Sequence, residues 1–134
     1  MILTEGELSY MATQRLGRLA TIQPSGDPQV SPVSCYYNPD TGTIDIGGHN
    51  MAASRKYRNV QHNPRAAIVI DDMTPGSPPR IRCLEIRGRA QAIPSPDSTT
   101  ARARGAIIRI HPQRIISWGI DPPKLALGSR NISQ

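Results

Sequence analysis

The chain has 134 residues, with 16 Lys and Arg against 10 Asp and Glu for a net charge of +6, and with 13 prolines, 11 glycines, one Trp and no Phe. That length predicts one domain with a real core, small enough that covering its edges calls for a partner. The basic balance admits a polyanion partner, but the charge is spread along the whole chain. The aromatics are too few for the stacking platforms that single-stranded nucleic acid needs, which places a nucleic-acid module last among the function classes.

The elements follow in chain order. Thr4-Glu-Gly-Glu7 is a capping box ahead of Leu8, Met11 and Ala12, so the chain opens with a short amphipathic helix ending near Leu16-Gly17. The period then becomes two. Arg18–Ile22, a turn at Pro24-Ser-Gly-Asp27, Gln29–Tyr37, a turn at Asn38–Gly42, and Thr43–Gly48 predict three successive antiparallel strands. A helix is expected over Met51–Gln61, stopped at His62-Asn-Pro-Arg65 because Pro64 pushes its predecessor out of the helical region. Ala66–Asp71 reads as a buried strand and Asp72–Pro79 as a Pro/Gly-rich connection. Arg82–Ile93 alternates, with Leu84, Ile86, Gly88, Ala90 and Ala92 on one face and Cys83, Glu85, Arg87, Arg89 and Gln91 on the other. Pro94–Gly105 reads as a loop or ragged helix, and Ala106–His111 and Arg114–Trp118 complete the strands. Asp121–Gln134 has the composition of an extended tail, so the domain is expected over 1–121 with a tail at 122–134. Six or seven mostly antiparallel strands with inserted helices imply an α+β fold centred on a β-barrel, since closure removes exposed edges.

The two cysteines, Cys35 and Cys83, lie in strand-like stretches without a C-x-x-C or a histidine at ligand spacing. Buried free thiols are expected there, and neither zinc nor a disulfide framework. The adjacent Asp71-Asp72 point to opposite faces with no third ligand close in sequence, so they read as solvated loop residues and no metal site is expected. The N-terminus lacks a signal-peptide pattern and no run approaches the roughly 18 apolar residues of a membrane span, so the expectation is a soluble, cytoplasmic protein.

Ile44–Asn59 carries the most chemistry. An alternating strand runs into Gly47 and Gly48 and then into a helix whose first turns hold Ser54, Arg55, Lys56 and Arg58. A helix start offers unpaired N–H groups and the positive end of the macrodipole, glycines admit an anion close to the main chain, and Ser, Arg and Lys add donors. The same basic cluster also reads as the solvated face of an amphipathic helix. Neither G-x-G-x-x-G nor the Walker pattern is present, which disfavours a Rossmann or P-loop nucleotide site.

The motifs Arg15–Ile22, Gln29–Val33, Tyr37–Asp40, Ile44–His49, Lys56–Asn59, Asn63–Arg65, Glu85–Ala90 and Ile115–Asp121 occur in an order and spacing that resemble one family. The chain resembles the pyridoxamine-5′-phosphate-oxidase-like split β-barrel flavoproteins, and among them the actinobacterial branch that uses the deazaflavin coenzyme F420. The resemblance spans about residues 3–121. It implies a homodimer with two cofactors in grooves between subunits, the phosphate-bearing chain held at the strand-to-helix turn and the ring along the second strand. Carried onto this chain, Ser54, Arg55 and Lys56 match the anion-binding positions, Gly48 the turn, and Val33 and Ser34 the strand beneath the ring. Trp118 reads either as a residue lining the partner's groove or as a core or interface anchor.

The activity implied is hydride transfer from reduced F420 to an electron-poor small molecule. The alternatives are an FMN-dependent oxidase or flavin reductase, and a protein that binds F420 or FMN without turning it over. Both cofactors carry a ribityl phosphate, and Arg58 near the groove favours the anionic oligoglutamate tail of F420. His49 and Tyr36 are the candidate proton donors, each with an alternative structural role, His49 in a turn and Tyr36 in strand packing.

Overall fold

A computed structural model describes residues 2–96, 105–121 and 128–133. The capping box is present in full: the Thr4 hydroxyl accepts from the Glu7 N–H at 3.0 Å and the Glu7 carboxylate accepts from the Thr4 N–H at 2.9 Å. It starts helix α1, Glu5–Thr13. The helix stops before the expected Leu16-Gly17 because Gly17 already belongs to a strand, paired with Val33. That strand, β1 (Gly17–Ile22), leads through a turn with Gly26 at φ +91° into β2 (Pro28–Asn38). A second turn, in which the Asn38 side chain accepts from the Asp40 N–H and Gly42 adopts φ +68°, leads into β3 (Thr43–Gly47).

The expected helix over Met51–Gln61 is two pieces. A 3₁₀ turn at Met51–Ala53 is followed by Ser54 in an extended conformation and then by helix α2, Arg55–His62. Ser54 is a preferred N-cap residue, and its side chain accepting from the Tyr57 N–H restarts the helix there.

Strands β4 (Arg65–Thr74) and β5 (Arg80–Ile93) form a long hairpin, and β6 (Ile107–Trp118) returns along β5. Asp71 and Asp72 therefore sit within β4 rather than in a loop. Asp72 is held by Arg82 at 2.6 and 3.0 Å and by the Tyr10 hydroxyl at 2.8 Å, and Asp71 pairs with Arg18. The two strands expected at Ala106–His111 and Arg114–Trp118 are one strand with a bulge, where the register shifts between Arg87 and Gly88 and Gln113 is the extra residue. Gly88 is required at that point, since a Cβ there would lie 2.0 Å from the His111 carbonyl oxygen. Strand β7, Gly128–Asn131, was not anticipated and edges β6 within what reads as a tail. Most of the loop expected at Pro94–Gly105, and 122–127 of the tail, lie outside the described residues.

The strand order is β3-β2-β1-β4-β5-β6-β7, and β3 also pairs with β6 at Ile44↔Ile110, Asp45↔Arg109 and Ile46↔Ile108. Six strands thus close into an antiparallel barrel, with β7 continuing the free part of the β6 edge. The fold is the expected α+β split barrel. Its interior is filled by fully buried Leu19, Ile44, Ile46, Ile68, Ile70, Leu84, Ile86, Ile108, Ile110 and Ile115. β5 turns its even-numbered residues from Leu84 to Ala90 inward and leaves Arg87, Arg89 and Gln91 exposed, as its alternation predicts. α2 plugs the barrel with Tyr57, Asn59 and Val60, and Asn59 is bound by donating to Thr21 at 3.0 Å and Gln29 at 2.7 Å.

Candidate functional site

The pairing of Ser34 with Gly47 and of Gly17 with Val33 lays the α1–β1 connection beside the ends of β2 and β3. Gln14, Arg15, Ser34, Cys35, Tyr36, Gly47 and Gly48 line a groove of 490 Å³ there. Alternation along β2 decides which side chains reach it: Ser34 is exposed and Tyr36 half-buried, while Val33 is 5% exposed and belongs to the core. The Val33 side chain packs in the core, so what this residue offers the groove is its main chain. Gln14, Cys35 and Tyr36 also line a larger hollow of 660 Å³ beneath α1, so the two spaces share a wall.

From Gly48 the chain passes through Asn50, in the left-handed region at φ +55°, to the Met51–Ala53 turn and the start of α2. The Ser54 hydroxyl is already engaged, accepting from the Tyr57 N–H at 3.3 Å and donating to the Met51 carbonyl at 2.6 Å. Ser54 thus builds the helix end, and what it presents to an anion is the N–H pair of Arg55 and Lys56, which have no acceptor within the helix. Because Tyr57, Asn59 and Val60 face inward, Arg55 and Arg58 stand exposed and Lys56 half-buried. Arg58 donates to the Ala53 carbonyl at 3.1 Å. None of the three lines the 490 Å³ groove within one chain; they project from the helix that begins seven residues past Gly48.

The groove contains no carboxylate among its lining residues. The nearest acid along β3, Asp45, is 1% exposed and consumed by Arg109, Asn38 and Thr43. Burial would raise its pKa, but Arg109 and the two neutral donors outweigh that and hold the carboxyl below its ordinary value. Burial pushes the Cys35 thiol up to about 11, so it stays protonated and is no nucleophile. Tyr36 lines both spaces, whereas His49 is exposed and lines neither. Trp118, 41% exposed at the end of β6 opposite Cys83, is also absent from the groove of its own chain. Gln14, Arg15 and Cys35 line the groove without having been singled out as candidate site residues, whereas Gly47 was read with Gly48 as part of the glycine turn. The signal for Arg15 was a cation just ahead of β1, but its relevance depends on a register that only the folded chain displays.

A basic side chain, an amide, hydroxyls, and free main-chain N–H groups, with no acid among them, fit a phosphorylated ribityl chain. Residues 4–119 match the pyridoxamine 5′-phosphate oxidase family. The chain belongs to that family. A relative in Streptomyces rimosus, the 5a,11a-dehydrotetracycline/5a,11a-dehydrooxytetracycline reductase, is 43% identical over 90% of this chain and 86% of its own length. Among solved structures, an F420 reductase is similar with a TM-score of 0.60 and 25% identity, over 82% of this chain and 95% of that one. A pyridoxamine 5′-phosphate oxidase-related, FMN-binding protein from Nostoc punctiforme PCC 73102 has a TM-score of 0.63 at 14% identity, over 97% and 96%, and shows the fold alone. Membership of the pyridoxamine 5′-phosphate oxidase family, with a reductase this similar, makes the chain a split-barrel oxidoreductase. No helix among the described residues is long and apolar enough to cross a membrane.

Proposed function

We propose that the protein is an F420-dependent reductase that passes a hydride from reduced deazaflavin to an electron-poor small molecule, in the cytoplasm and as a homodimer with the cofactor in a groove between subunits. The observation that carries this reading is a groove bordered by Arg15, Ser34 and Gly48, free of carboxylates, in a chain 43% identical to a reductase. When bound, the reduced deazaflavin supplies the hydride. Arg55, Lys56 and their N–H groups hold the phosphate, and Arg15 and Arg58 add positive charge for the anionic tail. The outer face of β2 around Ser34 provides the bed for the ring. Tyr36 holds a proton where the acceptor meets the groove. Val30 and Trp118, 64% and 41% exposed on the outer faces of β2 and β6, support a second copy whose Trp118 closes the groove.

The experiment is to express the full chain in a host that makes F420 and to record the absorbance and mass of the chromophore that copurifies. A deazaflavin bearing an oligoglutamate tail is expected. FMN in its place, with no F420 uptake on addition, overturns the assignment in favour of the FMN-dependent alternative.

A further inference from the structure

We infer that a trough of 440 Å³ on the outer face of the barrel binds a small amphipathic oxyanion, an apolar body ending in one phosphate or carboxylate, at a site separate from the cofactor groove. The trough opens where β1 and β4 part. Their pairing ends at Ala20↔Ala67, yet β1 runs on to Ile22 and β4 begins at Arg65. Alternation turns Leu19 and Thr21 of β1 and Ala66 and Ile68 of β4 inward, so Ala20, Ile22 and Ala67 form the outer floor, with Pro28 beside them. Arg65, Arg87 and Gln113 stand exposed around it, Gln113 being the extra residue that the β6 bulge aims outward. No acidic residue is among the lining residues.

The positive charge at this rim is not neutralised within the chain. Arg65 lies directly opposite Arg89 in the β4–β5 register, and Arg89 lies opposite His111 on β6, so one row across three strands holds two arginines and a histidine. Like charges in facing positions destabilise a sheet. Neither Arg65 nor Arg89 has an ion-pair partner among the described residues, and Arg87 gives its Nε to Glu85. His111 feels the excess: burial first, then the Arg89 and Arg109 charges, hold its imidazole below the ordinary value, with Asp45 opposing them. An oxyanion on Arg65 and Arg87 offsets that repulsion and meets forked donors that suit phosphate and carboxylate alike. A neutral ring would leave the row uncompensated, and a bare inorganic anion would leave the apolar floor in water. The volume lies within the roughly 300–1,000 Å³ of small-molecule sites.

Four probes separate head from body: 1-naphthyl phosphate, 1-naphthoate, uncharged 1-naphthol and inorganic phosphate. Each is titrated into the full chain by calorimetry, beside a fluorescence titration with F420. The two naphthyl anions are expected to bind at least about tenfold more tightly than 1-naphthol or inorganic phosphate. Arg65→Ser should weaken 1-naphthyl phosphate about tenfold, and Ala67→Trp, which fills the floor, about as much, while F420 affinity changes less than about twofold. Arg65→Ser should also leave thermal unfolding unchanged or raise its midpoint, because it removes a charge facing Arg89. Naphthyl phosphate binding that survives Arg65→Ser and is lost on combining Arg55→Ala with Lys56→Ala puts the probe at the start of α2 and overturns the proposal. Equal binding of 1-naphthol overturns it, as does an Arg65→Ser chain that unfolds more easily. So does a chain that binds no naphthyl anion and whose self-association in sedimentation is altered by Arg65→Ser, since a second copy then occupies the face. If F420 fails to bind while the naphthyl results hold, the cofactor reading falls and the trough stands.

Discussion

Arginine does opposite work in two regions of this molecule. At the barrel seam and under α1, each buried carboxylate is matched: Asp45 by Arg109 at 3.0 and 3.1 Å, with Asn38 and Thr43 completing its acceptors, and Glu7 by Arg130 with the Thr4 N–H. At the groove mouth and the start of α2, Arg15, Arg55 and Lys56 have no carboxylate partner among the described residues. The first arrangement locks strands and a helix together. The second leaves positive charge beside free N–H groups, which is what a phosphorylated ligand requires. The placement of acids, not the number of arginines, distinguishes the two.

Substitutions and acid should separate the two kinds of arginine. The largest effect is expected for Arg109→Ala, which strands the buried Asp45 charge in the seam; about 3–5 kcal/mol of stability should be lost in chemical denaturation. Arg130→Ala should lose roughly 3 kcal/mol by the same logic, since Glu7 is fully buried. At the groove the expectation reverses. Arg55→Ala and Lys56→Ala should each cost about 1.5–3 kcal/mol of F420 affinity by calorimetry while unfolding moves by no more than about 0.5 kcal/mol. Unchanged affinity in the double variant would return both residues to a solvated helix face.

Acid gives a third outcome. Burial raises the Glu7 and Asp45 carboxyls, but Arg130 with Thr4, and Arg109 with Asn38 and Thr43, more than offset it, so both lie below their ordinary values. A depressed carboxyl contributes stability that is present above the unfolded-state value, about 4, and is lost as pH falls through the folded value. Tm should therefore drop on acidification below about pH 4, and Arg109→Ala should show a shallower drop. The smallest effect is expected for the half-exposed Arg18–Asp71 pair on the barrel exterior, where Arg18→Ala should change stability by about 0–1 kcal/mol.

Local rules made much of this fold legible. The capping box at Thr4, the turns around Gly26 and Gly42, and the alternation of β5 each depend on residues within a few positions of one another. Long-range pairing was hidden. Asp71 and Asp72 look like loop acids until Arg18, Tyr10 and Arg82 are brought beside them from other elements. Arg130 and β7 carry no periodic signal in four residues, and their place follows from a buried Glu7 that is 123 positions away. At the site, the glycine-to-helix turn and its basic residues were readable as local structure, whereas which β2 side chains turn inward, Val33 among them, follows from how the barrel closes. Arg15 emerged only from the register of Gly17 on Val33.

Fluorescence titration of F420 and FMN at low and high salt reads out whether the unpaired charge serves a deazaflavin with its polyanionic tail. FMN ends at its phosphate, while the F420 tail adds carboxylates whose contacts are screened by salt. F420 should bind more tightly than FMN at low ionic strength, with the gap narrowing as salt rises. Tighter binding of FMN at low salt would instead make this an FMN site.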